Sequence, residues 1–167
     1  GKVPSKEIIK AFDVSLILYA EHSFNVSTFT ARTITSSLSD IHSAITGAIG
    51  SLKGPLHGGA NEEVMHMMSK IKKPDNALSW INKALNNKDV IMGFGHRVYK
   101  KGDSRVPTME KYFKKVAEIK KDKKFQKIYD IVKSVMLDRK DIHPNVDYPT
   151  GPTYHLMGFD TDFFTPL

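Results

Sequence analysis

Gly54-Pro55-Leu56-His57-Gly58-Gly59-Ala60-Asn61-Glu62 sets one histidine between a proline and two adjacent glycines, directly before an amphipathic run. Pro55 stiffens the approach by fixing its own φ. Gly58 and Gly59 carry no Cβ, so backbone or a ligand can come close there. The run from Ala60 reads as a helix, with Val64, Met65, Met68 and Ile71 on one side. His57 therefore falls at or near a helix N-terminus, where the positive end of the macrodipole disfavours an imidazolium. A neutral imidazole that donates one hydrogen bond to a carbonyl oxygen is a catalytic use of such a position. A loop histidine in a Gly-rich turn would look the same over these residues alone.

Outward from this stretch the pattern is helical. Ser5 is placed to cap a helix over 6–20, which is apolar nearly all round and so reads as buried inside a larger body. A Thr- and Ala-rich helix is expected over 27–37, and one capped by Asp40 over 41–52, where small residues allow close packing. The helix from Ala60 runs to about Lys72, and Pro74-Asp75-Asn76 ends it and starts another. Val90-Ile91-Met92 reads as a buried loop leading into Gly93-Phe94-Gly95-His96, since nothing nearby offers a strand partner. Helices follow over 108–120 and 123–137. Asp147 is expected in a Pro-rich loop before a short last helix ending near Met157. The fold class is all-α.

The 167 residues fit one ordinary domain or two small ones, and 40% apolar content is enough for a core. No apolar run reaches the roughly 18 residues of a membrane span, and no signal peptide is visible after Gly1-Lys2. With no cysteine there is no disulfide framework or thiolate metal site, which is compatible with a reducing cytosol. The net charge of +7 suits phosphorylated small molecules as well as nucleic acid. The lysines between Lys111 and Lys127 read as a solvated helix face, with no nucleic-acid-binding motif beside them. The first helix and the terminal Phe163-Phe164-Thr165-Pro166-Leu167 both lack partners for their apolar side chains, as expected of a piece of a longer polypeptide.

Three further polar sites stand out: His96 after a Gly-Phe-Gly turn, Arg105 nine residues on, and Asp147 among prolines. Together with His57 they suit proton abstraction next to a carbonyl. A carboxylate takes the α-proton, one neutral imidazole steadies the enol oxygen, and a second polarises an electrophilic carbonyl. An arginine can clamp a carboxylate with two parallel hydrogen bonds. No serine sits in a nucleophile elbow and His-x-x-x-His spacing is absent, which argues against a hydrolytic triad and a metal site.

Gly54 to Glu62, Gly93-Phe94-Gly95-His96-Arg97 and Asn145-Val146-Asp147, in this order and at these intervals, resemble the citrate synthase family. Glu21-His22-Ser23-Phe24-Asn25 resembles the segment that carries the family's oxaloacetate-binding histidine. The resemblance covers essentially the whole chain. It implies an all-α fold of a large and a small domain with the active site in the cleft between them. Residues 1–56 and 153–167 would then be parts of the large domain and 57–152 the small one. It also implies condensation of acetyl-CoA or propionyl-CoA with oxaloacetate to citrate or 2-methylcitrate, with release of CoA. His57, His96 and Asp147 would be catalytic, His22 and Arg105 would bind oxaloacetate, and Val90, Ile91, Met92, Gly93, Phe94 and Lys100 would meet CoA. Lys101 is a further neighbour for its phosphates.

No metal and no cofactor are expected, acyl-CoA being a substrate. A cytoplasmic homodimer, paired through the large domain, with no nucleic-acid or membrane partner, completes the expectation. The family's two further substrate arginines lie in a C-terminal part beyond this sequence, so the 167 residues alone are expected to be inactive. Asp147-Tyr148-Pro149-Thr150-Gly151-Pro152 looks somewhat more like 2-methylcitrate synthases, although one methylene is worth only about 1–3 kcal/mol in a pocket. Two alternatives are a citryl-CoA lyase reaction on the same fold and a basic helical nucleic-acid-binding module.

Overall fold

The computed structural model describes residues 3–20, 22 and 25–167. The regular elements of these residues are helical: α1 (Lys6–Ala20), α2 (Val26–Ser36), α3 (Ile41–Leu52), α4 (Ala60–Ile71), α5 (Pro74–Asn86), α6 (Val106–Ile119), α7 (Lys124–Lys140), α8 (Asp147–Met157) and a 3₁₀ turn at Thr161–Phe163. One isolated antiparallel bridge joins Phe94 to Pro144.

The core is built by α4 to α8. Along α4, Val64, Met65, Met68 and Ile71 are buried at helical spacing, and along α5 Ala77, Ile81 and Ala84. Pro74 starts α5, where the missing N–H costs no helical bond. Phe113 of α6 and Ile128, Tyr129 and Val132 of α7 close the same cluster, each fully buried. α4 packs on α8, α5 on α7, and α6 on both α8 and α1. Tyr148, Tyr154 and Phe164 belong to this cluster, so the packing runs straight across position 152. The lysines from Lys111 to Lys127 are all exposed, the solvated face their spacing suggested.

Helix starts follow the expected chemistry at two places. Ser5 Oγ accepts from the N–H of Ile8 at 3.4 Å, and Asp40 Oδ1 from that of Ser43 at 3.0 Å. Three local expectations are corrected. α8 begins at Asp147 itself, not after the prolines. Pro149 is the third residue of the helix, where no intrahelical N–H is required. The hydroxyls of Thr150 and Thr153 cap the carbonyls of Val146 and Pro149 at 2.7 and 2.6 Å. In α1 only Ala11 and Ser15 are buried, while Ile9 is 50% and Ile17 62% exposed, as expected of an apolar helix that lacks part of its cover. Of the terminal aromatic pair only Phe163 is exposed. Phe164 is buried, edge-on to Tyr154 at 5.6 Å. In the 90–92 loop Ile91 is buried but Val90 is open to solvent.

Candidate active site

The turn from α3 to α4 is held by the carbonyl of Gly54, which accepts from the N–H of His57 (2.9 Å) and of Gly59 (3.2 Å). A Cβ at Gly58 would sit 2.5 Å from the carbonyl oxygen of Leu52, so the turn tolerates only glycine there. The histidine so presented lies three residues before α4. Its Nε2 is 3.1 Å from the backbone N–H of Ser27 and 3.0 Å from Ser27 Oγ. A backbone N–H can only donate, so Nε2 accepts and the neutral ring carries its proton on Nδ1. Burial lowers the pKa of His57. Partial removal from water therefore favours the neutral ring.

The loop between α5 and α6 turns at Gly93 (φ +83°), where a Cβ would meet Val64 and Tyr148 at 2.7–2.8 Å. Gly93 accepts from the N–H of Asn145, and Gly95 donates to the carbonyl of His143, which ties the loop to the start of α8. His96 projects from it. Its Nδ1 accepts from the N–H of Val98 (3.1 Å) and Tyr99 (3.3 Å), so the proton sits on Nε2. Burial lowers its pKa as well. The rings of Tyr99 and His22 pack on it at 4.6 and 5.3 Å.

Arg105 does not stand free. Its Nε and Nη2 donate to the two oxygens of Asp103 at 2.9 and 2.7 Å, a bidentate pair with Asp103 buried. Asp103 also accepts from the N–H of Val146 at 3.0 Å and thereby links the arginine to the residue before Asp147. Desolvation raises the pKa of Asp103, but the hydrogen bonds and charge of Arg105 prevail and hold it below the usual value. Arg105 is thus oriented by an internal partner and retains Nη1 for another acceptor.

Asp147 opens α8. Burial pushes its carboxyl up to about 6, against the hydrogen bond from Tyr19 and the nearby charge of Arg105. Tyr19 Oη donates to Oδ1 at 2.6 Å, and Asn145 Oδ1 accepts from the N–H of Asp147 at 3.1 Å.

One open cavity of about 660 Å³ is lined by His22, His57, His96, Arg105 and Asp147 together. Val90, Ile91, Met92, Gly93, Phe94 and Lys100 line the same cavity, and Lys101 does not. Glu21, Ser23 and Phe24 of the histidine-bearing segment lie outside the described residues. Among the described residues no group of three His, Asp or Glu is placed to hold a metal ion. Sequence reasoning missed Tyr19, Ser27 and Asp103. Only Asp103 carried a local signal, an acid two residues before an arginine. Tyr19 and Ser27 reach their partners across 128 and 30 positions.

The model of the citrate synthase C-terminal domain matches residues 1–167. The chain belongs to the citrate synthase family. It is 62% identical over 159 residues to 2-methylcitrate synthase 2 of Corynebacterium glutamicum, covering 95% of this chain and 42% of that protein. It is 53% identical to citrate synthase of Mycolicibacterium smegmatis over the whole chain and 44% of that protein. Among solved structures, a citrate synthase of Thermoplasma acidophilum in ternary complex with carboxymethyl coenzyme A and oxaloacetate superposes with a TM-score of 0.89 at 36% identity. That match covers 99% of this chain and 45% of the other. A citryl-CoA lyase of Hydrogenobacter thermophilus, at 21% identity and a TM-score of 0.75, shares the fold. The chain spans less than half the length of these curated relatives.

Proposed function

We propose that this chain supplies the catalytic groups for condensing an acyl-CoA with oxaloacetate. The observation that carries the reading is the convergence on one cavity of a carboxyl near 6 and two neutral imidazoles with defined tautomers. Asp147 takes the α-proton of the acyl thioester. The C–H electron pair forms the enol double bond, while Nδ1–H of His57 hydrogen-bonds the carbonyl oxygen as charge develops there. The enol carbon attacks the keto carbon of oxaloacetate, and the keto oxygen takes its proton from Nε2 of His96. Water then hydrolyses the thioester and frees CoA. His22 and Arg105 hold oxaloacetate, and Val90 to Phe94 with Lys100 meet CoA.

A base near 6 is charged at neutral pH yet a stronger proton acceptor than a carboxylate at its ordinary value. The acyl group favoured is propionyl, because two curated relatives at 62% and 59% identity bear the name 2-methylcitrate synthase. A homodimer paired through α2 and α3 fits the apolar side chains these helices leave exposed. The substrates suit a cytoplasmic site of action. Residues 57–152 would form the small domain and the flanking segments parts of the large one.

The test is CoA release by the active protein containing this chain, with oxaloacetate plus propionyl-CoA and then acetyl-CoA. Turnover is expected with both, at higher kcat/KM for propionyl-CoA. Turnover with neither, or cleavage of citryl-CoA alone, overturns the reading.

A further inference from the structure

We propose that Tyr19 is a positioning residue for the base, holding Oδ1 of Asp147 from α1 so that Oδ2 is the oxygen that takes the substrate proton. The inference rests on the reading of Asp147 as the base and deepens it. Tyr19 is the next-to-last residue of α1 and lines the same cavity. Its hydroxyl meets Oδ1 at 2.6 Å, the length of an O–H donor on an ionised acceptor. The other groups facing the carboxyl leave this task to it. Arg105, before α6, spends Nε and Nη2 on Asp103. Asp103 adds a like charge. Tyr154, on α8, shares its hydroxyl with Ser15 of α1 at 2.9 Å. Asn145 engages the backbone N–H of Asp147 and not its carboxyl.

Two consequences follow from one hydrogen bond. A carboxylate free to rotate would present either oxygen, and the bond to Tyr19 fixes which one faces the cavity, as proton transfer requires. A donor also favours the charged carboxylate, so Tyr19 opposes the burial that raises Asp147. Burial and the charge of Asp147 hold the Tyr19 phenol well above its ordinary value, so it remains a donor across the working pH range.

The decisive variant is Tyr19→Phe in the active protein containing this chain, which removes the hydroxyl and keeps the ring. The plateau kcat is expected to fall about tenfold or more, the loss typical of one charge-assisted hydrogen bond. KM for oxaloacetate should stay within about twofold. The acid limb of kcat/KM, set near 6 by Asp147, should move up by about one unit. Replacing Tyr19 by a ring-fluorinated tyrosine, a stronger donor of nearly the same shape, should move the limb down, which guards against a variant that merely folds poorly. Carbon-13 titration of the Asp147 carboxyl in the unliganded protein should show the same two displacements without turnover. An unmoved limb and an unmoved carboxyl titration overturn the proposal while the synthase reading stands. A wild-type protein that releases no CoA removes that reading, and the carboxyl titration then still decides whether Tyr19 sets the state of Asp147.

Discussion

α4 to α8 and the α2–α3 hairpin draw on similar apolar residues and use them in opposite ways. In the first region they close on one another: Val64, Met68, Phe113, Ile128 and Tyr129 show no accessible surface. In the second, α2 buries nothing and α3 only Ala44, while Phe29 is 68%, Ile41 71% and Ile49 61% exposed. Helical spacing of apolar residues states that a face wants cover, but not what provides it. The cavity lies where the two regions meet. His96, Arg105 and Asp147 come from the closed body. Ser27 comes from the open hairpin, while Tyr19 on α1 and His22 lie ahead of it in the chain, and together they brace His57, His96 and Asp147.

The sharpest way to break this comparison is catalytic. His57→Ala and Asp147→Asn are each expected to cut turnover by roughly 10²–10⁴-fold, the usual worth of a positioned acid or base. Oxaloacetate binding should change far less, because both residues act on the acyl thioester. Ser27→Ala, from the open region, should cost less, since the backbone N–H of Ser27 still holds Nε2 of His57. Steady-state kinetics on the three variants decide it. Near-normal turnover in either of the first two removes that residue from its role, and a Ser27→Ala loss as large as that of His57→Ala would place the essential brace in the side chain.

Much of this arrangement was legible beforehand. The bounds of α1 and α3 coincide with the expected spans, because Ser5, Asp40 and the apolar spacing speak locally. His57, His96, Arg105 and Asp147 stand in glycine- or proline-marked segments that a chain uses when backbone must approach something closely. The start of α8 falls earlier than expected because prolines read as breakers, although Pro149 stands in a first turn that does not need its N–H, and Pro152 is accommodated inside the helix. The apolar surround of α1 was legible locally, and Ile9 and Ile17 stand exposed as a helix short of its cover would leave them. Tyr19 and Ser27 were invisible for a different reason: a tyrosine near the end of an apolar helix and a serine in a Ser/Thr-rich one carry no mark of the distant side chain they will meet.

Stability offers a second contrast, smaller than the catalytic one. Phe113 is fully buried in the closed body, so Phe113→Ala should destabilise by about 3–5 kcal/mol. Phe29 lies on the open hairpin, so Phe29→Ala should cost under about 0.5 kcal/mol if solvent is its only neighbour. Denaturant unfolding of both variants tests the pair. A loss at Phe29 approaching that at Phe113, and dependent on protein concentration, would mean that the hairpin face is covered by another copy, which would sharpen the homodimer reading.

The smallest effect concerns the cost of keeping a base in the closed body. Asp147 titrates about 2 units higher in the fold than an exposed aspartate, near 6 against 3.8. A raised carboxyl pKa means that the folded protein binds a proton more tightly than the unfolded chain does. That favourable contribution is complete below about 4 and is lost as pH rises through about 6. At neutral pH the charged carboxylate is therefore a liability of at most about 3 kcal/mol, the value of a shift of this size. Asp147→Asn keeps the shape and an acceptor for Tyr19 but carries no charge. It should raise the midpoint of thermal unfolding at pH 7, by less than that ceiling because the amide matches the hydrogen bond from Tyr19 less well. The gain should shrink towards zero by about pH 3, below both values, where the aspartate is mostly neutral in both states. Calorimetry at the two pH values separates this from ordinary repacking, which would shift both midpoints alike. No gain at pH 7 would show that Tyr19 and Arg105 offset the burial of Asp147 fully, and that the closed body holds its base without strain.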